Sequence, residues 1–248
     1  MKTVLITGCS SGFGLDIAKY FLERDWKVIA TMRTPREDIL PSSDNLRILA
    51  LDVTDDESVN AAIAAAGPID VLVNNAGIGL LNALEGTPID VARDLFETNT
   101  LGTMRVTQAV LPQFRERKAG MIVNVTSSVT LKSLPLLSVY TASKAAVNAF
   151  TESLALELSP FNIDVRIVLP GAAPGTSFGK SAMALLQGAG GFPDAYAGFA
   201  QGIIGQMQQP GRPLTQSSDV AEAVWRAATD PSCPMRLPAG ADAIAAAA

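Results

Sequence analysis

The feature that most constrains this chain lies at its start. A short apolar, β-branched run, Thr3–Thr7, leads directly into the glycine cluster TGCSSGFG and then into a helix-forming segment from Phe13. A strand that turns at once into a helix through glycines at 8, 12 and 14 favours a parallel α/β sheet. Each glycine has a distinct task. Gly8 lets the chain turn out of the strand, Gly12 lets the backbone approach a pyrophosphate, and Gly14 allows close packing of helix on sheet. The helix N-terminus then presents free N–H groups and a positive dipole end to an anion.

The rest of the chain continues the alternation. Further strands are predicted at Lys27–Met32, Arg47–Leu51, Val71–Asn74, Met121–Thr126 and Ile163–Leu169, with a weak seventh at Met235–Leu237. Helices are predicted at Phe13–Arg24, Asp55–Ala65, Asp90–Glu116, Ser138–Leu158 and Ser218–Thr229. The strands are continuous apolar runs, as expected where both faces are covered. This predicts a Rossmann-type, doubly wound parallel sheet of about seven strands with helices on both faces, all in one domain over residues 1–248. Residues 171–210, rich in Gly, Ala and Gln, read as a substrate-binding lid, with Phe178, Met183, Leu185, Leu186, Phe192, Tyr196 and Phe199 available as apolar lining. The stretch Ala243–Ala248 is expected to fray.

Composition narrows the function classes. The net charge of −5 gives no reason to expect nucleic acid or an anionic membrane as partner. No apolar run approaches the length of a membrane span, and a cytoplasmic location follows as the default expectation. The chain contains no histidine, which removes histidine-based triads and weakens any transition-metal site, so no metal is expected. Cys9 and Cys233 read as two reduced thiols.

The loop suits a nicotinamide dinucleotide, and the end of the second strand bears on which one. About 20 residues past such a loop, an acidic side chain would bind the ribose 2′-hydroxyl of NAD. Here that place holds Met32 and Arg33, so no carboxylate opposes a 2′-phosphate and Arg33 offers a fork of donors to it. Ser10 and Ser11 can add hydroxyl donors. NADP(H) is therefore expected over NAD(H).

Tyr140 and Lys144, in YTASK, share one helix face one turn apart. A neighbouring ammonium is expected to lower the tyrosine pKa and make it a usable acid/base. The strand at Met121–Thr126 ends in Ser127 and Ser128, where a hydroxyl can donate to a developing oxyanion.

TGCSSGFG, the NNAG at Asn74–Gly77, Asn99 in ETNTLG, NVTSS, YTASK and LPG at Leu169–Gly171 occur in this order, and together the chain resembles the short-chain dehydrogenases/reductases. It is similar to their short, single-domain branch, and TGCSSG followed by ATMR to NADP(H)-preferring steroid and retinoid dehydrogenases. The resemblance implies hydride transfer between NADP(H) and a carbonyl or secondary alcohol. Tyr140 would be general acid/base, Lys144 would bind the nicotinamide ribose and Asn99 would hold a relay water. Ser128 is chosen as the catalytic serine by its place in the SS pair, although Ser127 fits better by spacing from Tyr140. Asp52 and Val53 would meet the adenine. Asn75, Ala76 and Gly77 would line the adenosine ribose, Gly8, Ser10, Ser11, Gly12, Phe13 and Gly14 the phosphates, and Pro170 and Gly171 the nicotinamide. Thr176 stands one residue from where the resemblance places a carboxamide contact. The alternative is a catalytically silent NADP(H)-binding regulatory protein. Apolar residues on several sides of the helices Val139–Leu158 and Asp90–Glu116 predict a homodimer or homotetramer.

Overall fold

A computed structural model describes all residues 1–248. Seven strands form one all-parallel sheet: β1 (Thr3–Ile6), β2 (Lys27–Met32), β3 (Leu46–Ala50), β4 (Val71–Asn74), β5 (Gly120–Val125), β6 (Ile163–Pro170) and β7 (Arg236–Ala239). Their spatial order is β3-β2-β1-β4-β5-β6-β7, so the sequence direction reverses between β1 and β4. That reversal opens a crevice at the carboxyl ends of the strands, where open α/β sheets bind ligands. The expected doubly wound, single-domain fold is the one observed.

Helices α1 (Gly12–Leu22) and α8 (Ser217–Thr229) cover one face of the sheet. There Phe21, Trp26 and Trp225 pack edge to face at 5.1–5.6 Å between centroids. On the other face, α2 (Asp56–Ala66), α4 (Gly102–Arg117) and α5 (Ser138–Leu158) bury Val59, Val106, Val110, Phe114, Leu154 and Leu158 against Leu5, Leu72 and Ile122. A polar ladder runs through this second layer: Asn74 donates to Thr107 and to Asn124, which donates to Thr151. It ties β4 and β5 to α4 and α5 beneath the crevice. No helix is long and apolar enough to cross a membrane.

Two expectations about helices change. The long helix predicted over Asp90–Glu116 is three pieces, α3 (Ile89–Phe96), a π turn at Glu97–Leu101 and α4. Such a turn breaks the i→i−4 hydrogen-bond ladder, and here it carries Asn99. The stretch expected to fray is helical instead, forming α9 (Ala241–Ala247), because Ala243 is buried and Asp242 is hydrogen-bonded to the adjacent loop. Residues 171–210 fold as α6 (Phe178–Gly188) and α7 (Ala197–Met207), joined by a 3-10 turn at Asp194–Tyr196.

Candidate active site

The glycine turn is built as the sequence requires. Gly8 and Gly12 have φ of +75° and +57°, a region L side chains rarely adopt. A Cβ on Gly14 would overlap the carbonyl oxygen of Gly8 and the amide of Asn75. The end of β1 is welded to β4 by Thr7, whose hydroxyl accepts from the N–H groups of Asn75 and Ala76, each at 3.0 Å. The Asn75 side chain donates to the carbonyls of Thr7 (2.9 Å) and Gly8 (3.3 Å). Its Nδ2 thus shapes the turn, and Ala76 is held through its backbone.

The start of α1 differs from the starts of α2 and α8. Asp55 caps α2 by accepting from the Ser58 N–H, and Gln216 and Asp219 form a reciprocal box on α8. Ser11, at the corresponding place on α1, makes no capping bond, and the first turn carries no acidic residue. No cap side chain therefore satisfies the first N–H groups of α1. Ser10 and Ser11 are exposed, while Phe13 packs on the core. These residues fit a dinucleotide pyrophosphate.

Arg33 follows β2 directly, is exposed and forms no ion pair, whereas its neighbour Arg36 is held by Asp38 at 3.0 Å. Asp52 is half-buried. Burial works to raise its carboxyl, but hydrogen bonds from the Thr54 N–H (2.9 Å) and hydroxyl (2.8 Å), with Arg33 and Arg105 nearby, together hold it below the usual carboxylate range. Val53 is buried, with its carbonyl accepting from Arg105 at 2.6 Å.

Tyr140 and Lys144 project from the first turns of α5 into the crevice, and both are buried. The hydroxyl of Tyr140 lies beside Ser127, which is itself buried and accepts from the Val129 N–H at 3.3 Å. Ser128 starts a 3-10 turn and is only half-buried. Of the two serines, Ser127, favoured by spacing, lies at the Tyr140 phenol, while Ser128, chosen by its place in the motif, begins the next turn. The strand ends at Val125, so the chain direction after it, and not the strand's alternation, decides which hydroxyl meets the tyrosine.

The expected effect of Lys144 on Tyr140 also differs. Burial pushes the Tyr140 phenol up to about 12, and Ser127 only partly opposes this. Burial likewise lowers the Lys144 ammonium to about 8. Lys144 Nζ donates to the carbonyl of Val125 at 3.2 Å and lies beside Gly77 and Asn99. Lys144 thus faces the floor of the crevice.

Asn99 is fully engaged through its side chain. It accepts from the Ile78 N–H at 2.8 Å and donates to the Ile78 carbonyl (2.9 Å) and the Ser143 hydroxyl (3.0 Å). Ser143 in turn donates to the Tyr140 carbonyl at 2.8 Å. Ser143 went unnoticed in the sequence, although its place inside YTASK, three residues past Tyr140, puts it on the same helix face.

The last wall comes from the segment after β6. Pro170 is buried at the strand end, and Thr176 lies against Gly12. The Phe178 ring sits 5.6 Å from the Tyr140 ring and fills the space above Gly79. Of the expected apolar lining, Phe178 and Leu185 pack at Tyr140, Phe192 and Tyr196 pack against Ala83, Leu136 and Ala200, and Leu186 is buried. Met183 and Phe199 point outward, exposed at 40% and 53%.

This constellation invites comparison with known proteins. The family model described as short chain dehydrogenase matches residues 2–184. The uncharacterized oxidoreductase YusZ of Bacillus subtilis is 36% identical over 239 residues, spanning 92% of this chain and 85% of its own length. Human retinol dehydrogenase 8 is 40% identical over 181 residues, which is 68% of this chain but only 58% of that protein. Among solved structures, a serine dehydrogenase complexed with NADP+ aligns with a TM-score of 0.81 at 31% identity, covering 97% of this chain and 95% of that one. A 3-ketoacyl-(acyl-carrier-protein) reductase from Brucella melitensis, complexed with NADH, aligns at 0.78 with 28% identity and 96% of each chain covered. Family match, relatives and solved folds agree over most of the chain, and it belongs to the short-chain dehydrogenase family of oxidoreductases.

Proposed function

We propose that this chain transfers a hydride between NADP(H) and an apolar carbonyl or secondary alcohol, with Tyr140 as general acid/base. The observation that carries the reading is the buried pair of hydroxyls, Tyr140 on Ser127, one helical turn from Lys144. When bound, the nicotinamide supplies the hydride in reduction and accepts it in oxidation. Ser127 and Tyr140 then both donate to the substrate oxygen as charge develops there, and Tyr140 delivers the proton. Lys144 meets the ribose hydroxyls, and Asn99, which lies with it at Gly77, marks the place of a relay water. Asp52 and Val53 bound the adenine, Gly77 the ribose, and Pro170 and Gly171 the nicotinamide face. Phe178 and Leu185 favour an apolar substrate. Oxidation of NADPH with a panel of ketones, steroids and acyl thioesters tests the reading, and binding without turnover would favour the regulatory alternative.

The preference for NADP(H) rests on Arg33, which is exposed and forms no ion pair, although Asp52 lies within reach of its charge. Replacing it by aspartate turns attraction for a 2′-phosphate into repulsion. Arg33→Asp should weaken NADPH at least tenfold and shift preference toward NADH. Paired titrations of both cofactors check this, and a wild type that already prefers NADH would refute it.

Assembly into a homodimer or homotetramer is also proposed, on a narrower surface than the sequence suggests. Val147, Leu154, Leu158, Val106 and Val110 are spent on the protein's own core. What stays exposed on α5 is a row of small residues, Ala142, Ala145 and Ala149, ending at Leu156, which is 78% exposed. Small side chains let a second helix approach closely, as a two-fold interface requires. Sedimentation at micromolar protein should give a mass of two or four 25.9 kDa chains, and a single-chain mass would refute the interface.

A further inference from the structure

The active-site wall after β6 is held from an unexpected direction. Asp242, half-buried in the first turn of α9, accepts from the Thr215 hydroxyl through Oδ1 and from the Ala172 N–H through Oδ2, both at 2.6 Å. Thr215 is 2% exposed, and its N–H donates to the Ala172 carbonyl at 3.0 Å. The Gly171 N–H donates to the Thr215 hydroxyl at 3.1 Å. The two ends of the segment between residues 172 and 215 are thereby closed into a neck, and one carboxylate grips both ends. The fit is tight: a Cβ on Gly171 would overlap both Asp242 oxygens, and one on Gly240, at φ +94°, would overlap the Thr215 hydroxyl. Beyond the neck, the same segment lays Thr176 on Gly12 and Phe178 on Tyr140. Its far part is steadied by Asn82, which donates to Gly191 at 3.5 Å, and by Pro193 against Gly86.

We propose that Asp242 is a positioning residue for the reaction: by gripping Thr215 and Ala172, its carboxylate sets the neck that presents Thr176 to the phosphate turn and Phe178 to Tyr140. It touches neither substrate nor cofactor and acts through the backbone at Gly171–Ala172. Small misplacements of such a wall cost rate even when no reacting group is changed. This inference rests on the proposed function for its kinetic arm only.

The test uses the full chain. Asp242→Ala should lower kcat/KM for ketone reduction by about tenfold, with the pH profile owed to Tyr140 unchanged. Trypsin cleavage at Lys180, in α6, should speed up, because the neck no longer restrains the segment. Asp242→Asn should fall between, since its carbonyl oxygen keeps the Thr215 bond while the Ala172 N–H loses its acceptor. Kinetic constants within twofold of wild type together with unchanged cleavage would overturn the proposal. A double-mutant cycle separates positioning from general stability. Gly171→Ala should cost clearly less activity in the Asp242→Ala background than alone, since its obstacle has been removed, and an equal cost in both would also overturn it. Should Asp242→Ala fail to fold, Asp242→Asn carries the kinetic and cleavage arms. A wild type that oxidises no NADPH with any carbonyl would sink the proposed function, while the cleavage arm would still decide for or against the latch.

Discussion

Tyr140→Phe should cut turnover by about 10²–10⁴-fold, or ~3–5 kcal/mol of transition-state stabilisation, while leaving NADPH binding nearly intact. The substitution removes the phenol that delivers the proton in the proposed reaction and keeps the ring that packs on Phe178. The perturbed phenol adds a directional signature. With its pKa pushed up to about 12, Tyr140 is protonated at neutral pH, ready as an acid and poor as a base. Tyr140 should therefore put no break in the reduction profile between about 6 and 9, where a break near 8 belongs to Lys144, whereas kcat/KM for alcohol oxidation should climb with pH as the phenol loses its proton. Rate profiles in the two directions measure this. Retention of more than half the activity in the phenylalanine variant would remove Tyr140 from the chemistry, and an oxidation rate that falls with rising pH would contradict the proton's place.

Ser127→Ala should lower turnover by about 10²-fold, and Ser128→Ala by much less. The difference follows from geometry, because Ser127 meets the Tyr140 hydroxyl in a buried position while Ser128 begins the next turn, half-exposed. Loss of a donor aimed at a developing oxyanion is felt in the transition state, so the effect should fall on kcat more than on KM. Steady-state kinetics on the two alanine variants decide between the hydroxyls, and the reverse ranking would return the role to Ser128.

The local chemistry was legible in the sequence wherever backbone conformation demanded a residue type. Positive φ at Gly8 and Gly12, and the space that excludes any Cβ at Gly14, follow from a strand that must become a helix within one turn. Tyr140 and Lys144 share a face because helical spacing alone brings them together. The strands could be read from apolar runs, since a parallel sheet covered on both faces leaves no place for polar alternation.

What the sequence could not determine depends on groups far apart along the chain. Whether Ser127 or Ser128 meets Tyr140 is set by the path of the chain after β5, on which the SS motif and the spacing from Tyr140 point to different serines. The sequence offers Lys144 as the group that lowers the tyrosine pKa, whereas burial, a property of the whole packing, raises it and Ser127 opposes that rise. The sequence marks Asn75 and Asn99 as ligand-lining, and the fold adds a second task, in which their amides hold the backbone at Gly8 and Ile78. Asp242 lies in an alanine-rich stretch with no motif around it, and only the pairing of β7 with β6 carries it to the neck at Ala172. The sequence by itself determined the kind of fold and the chemical groups available, because those follow from local conformation and short spacing. The tertiary structure alone decided which groups meet, how deeply they are buried and so which way their protons lean, because burial and long-range pairing belong to the folded chain.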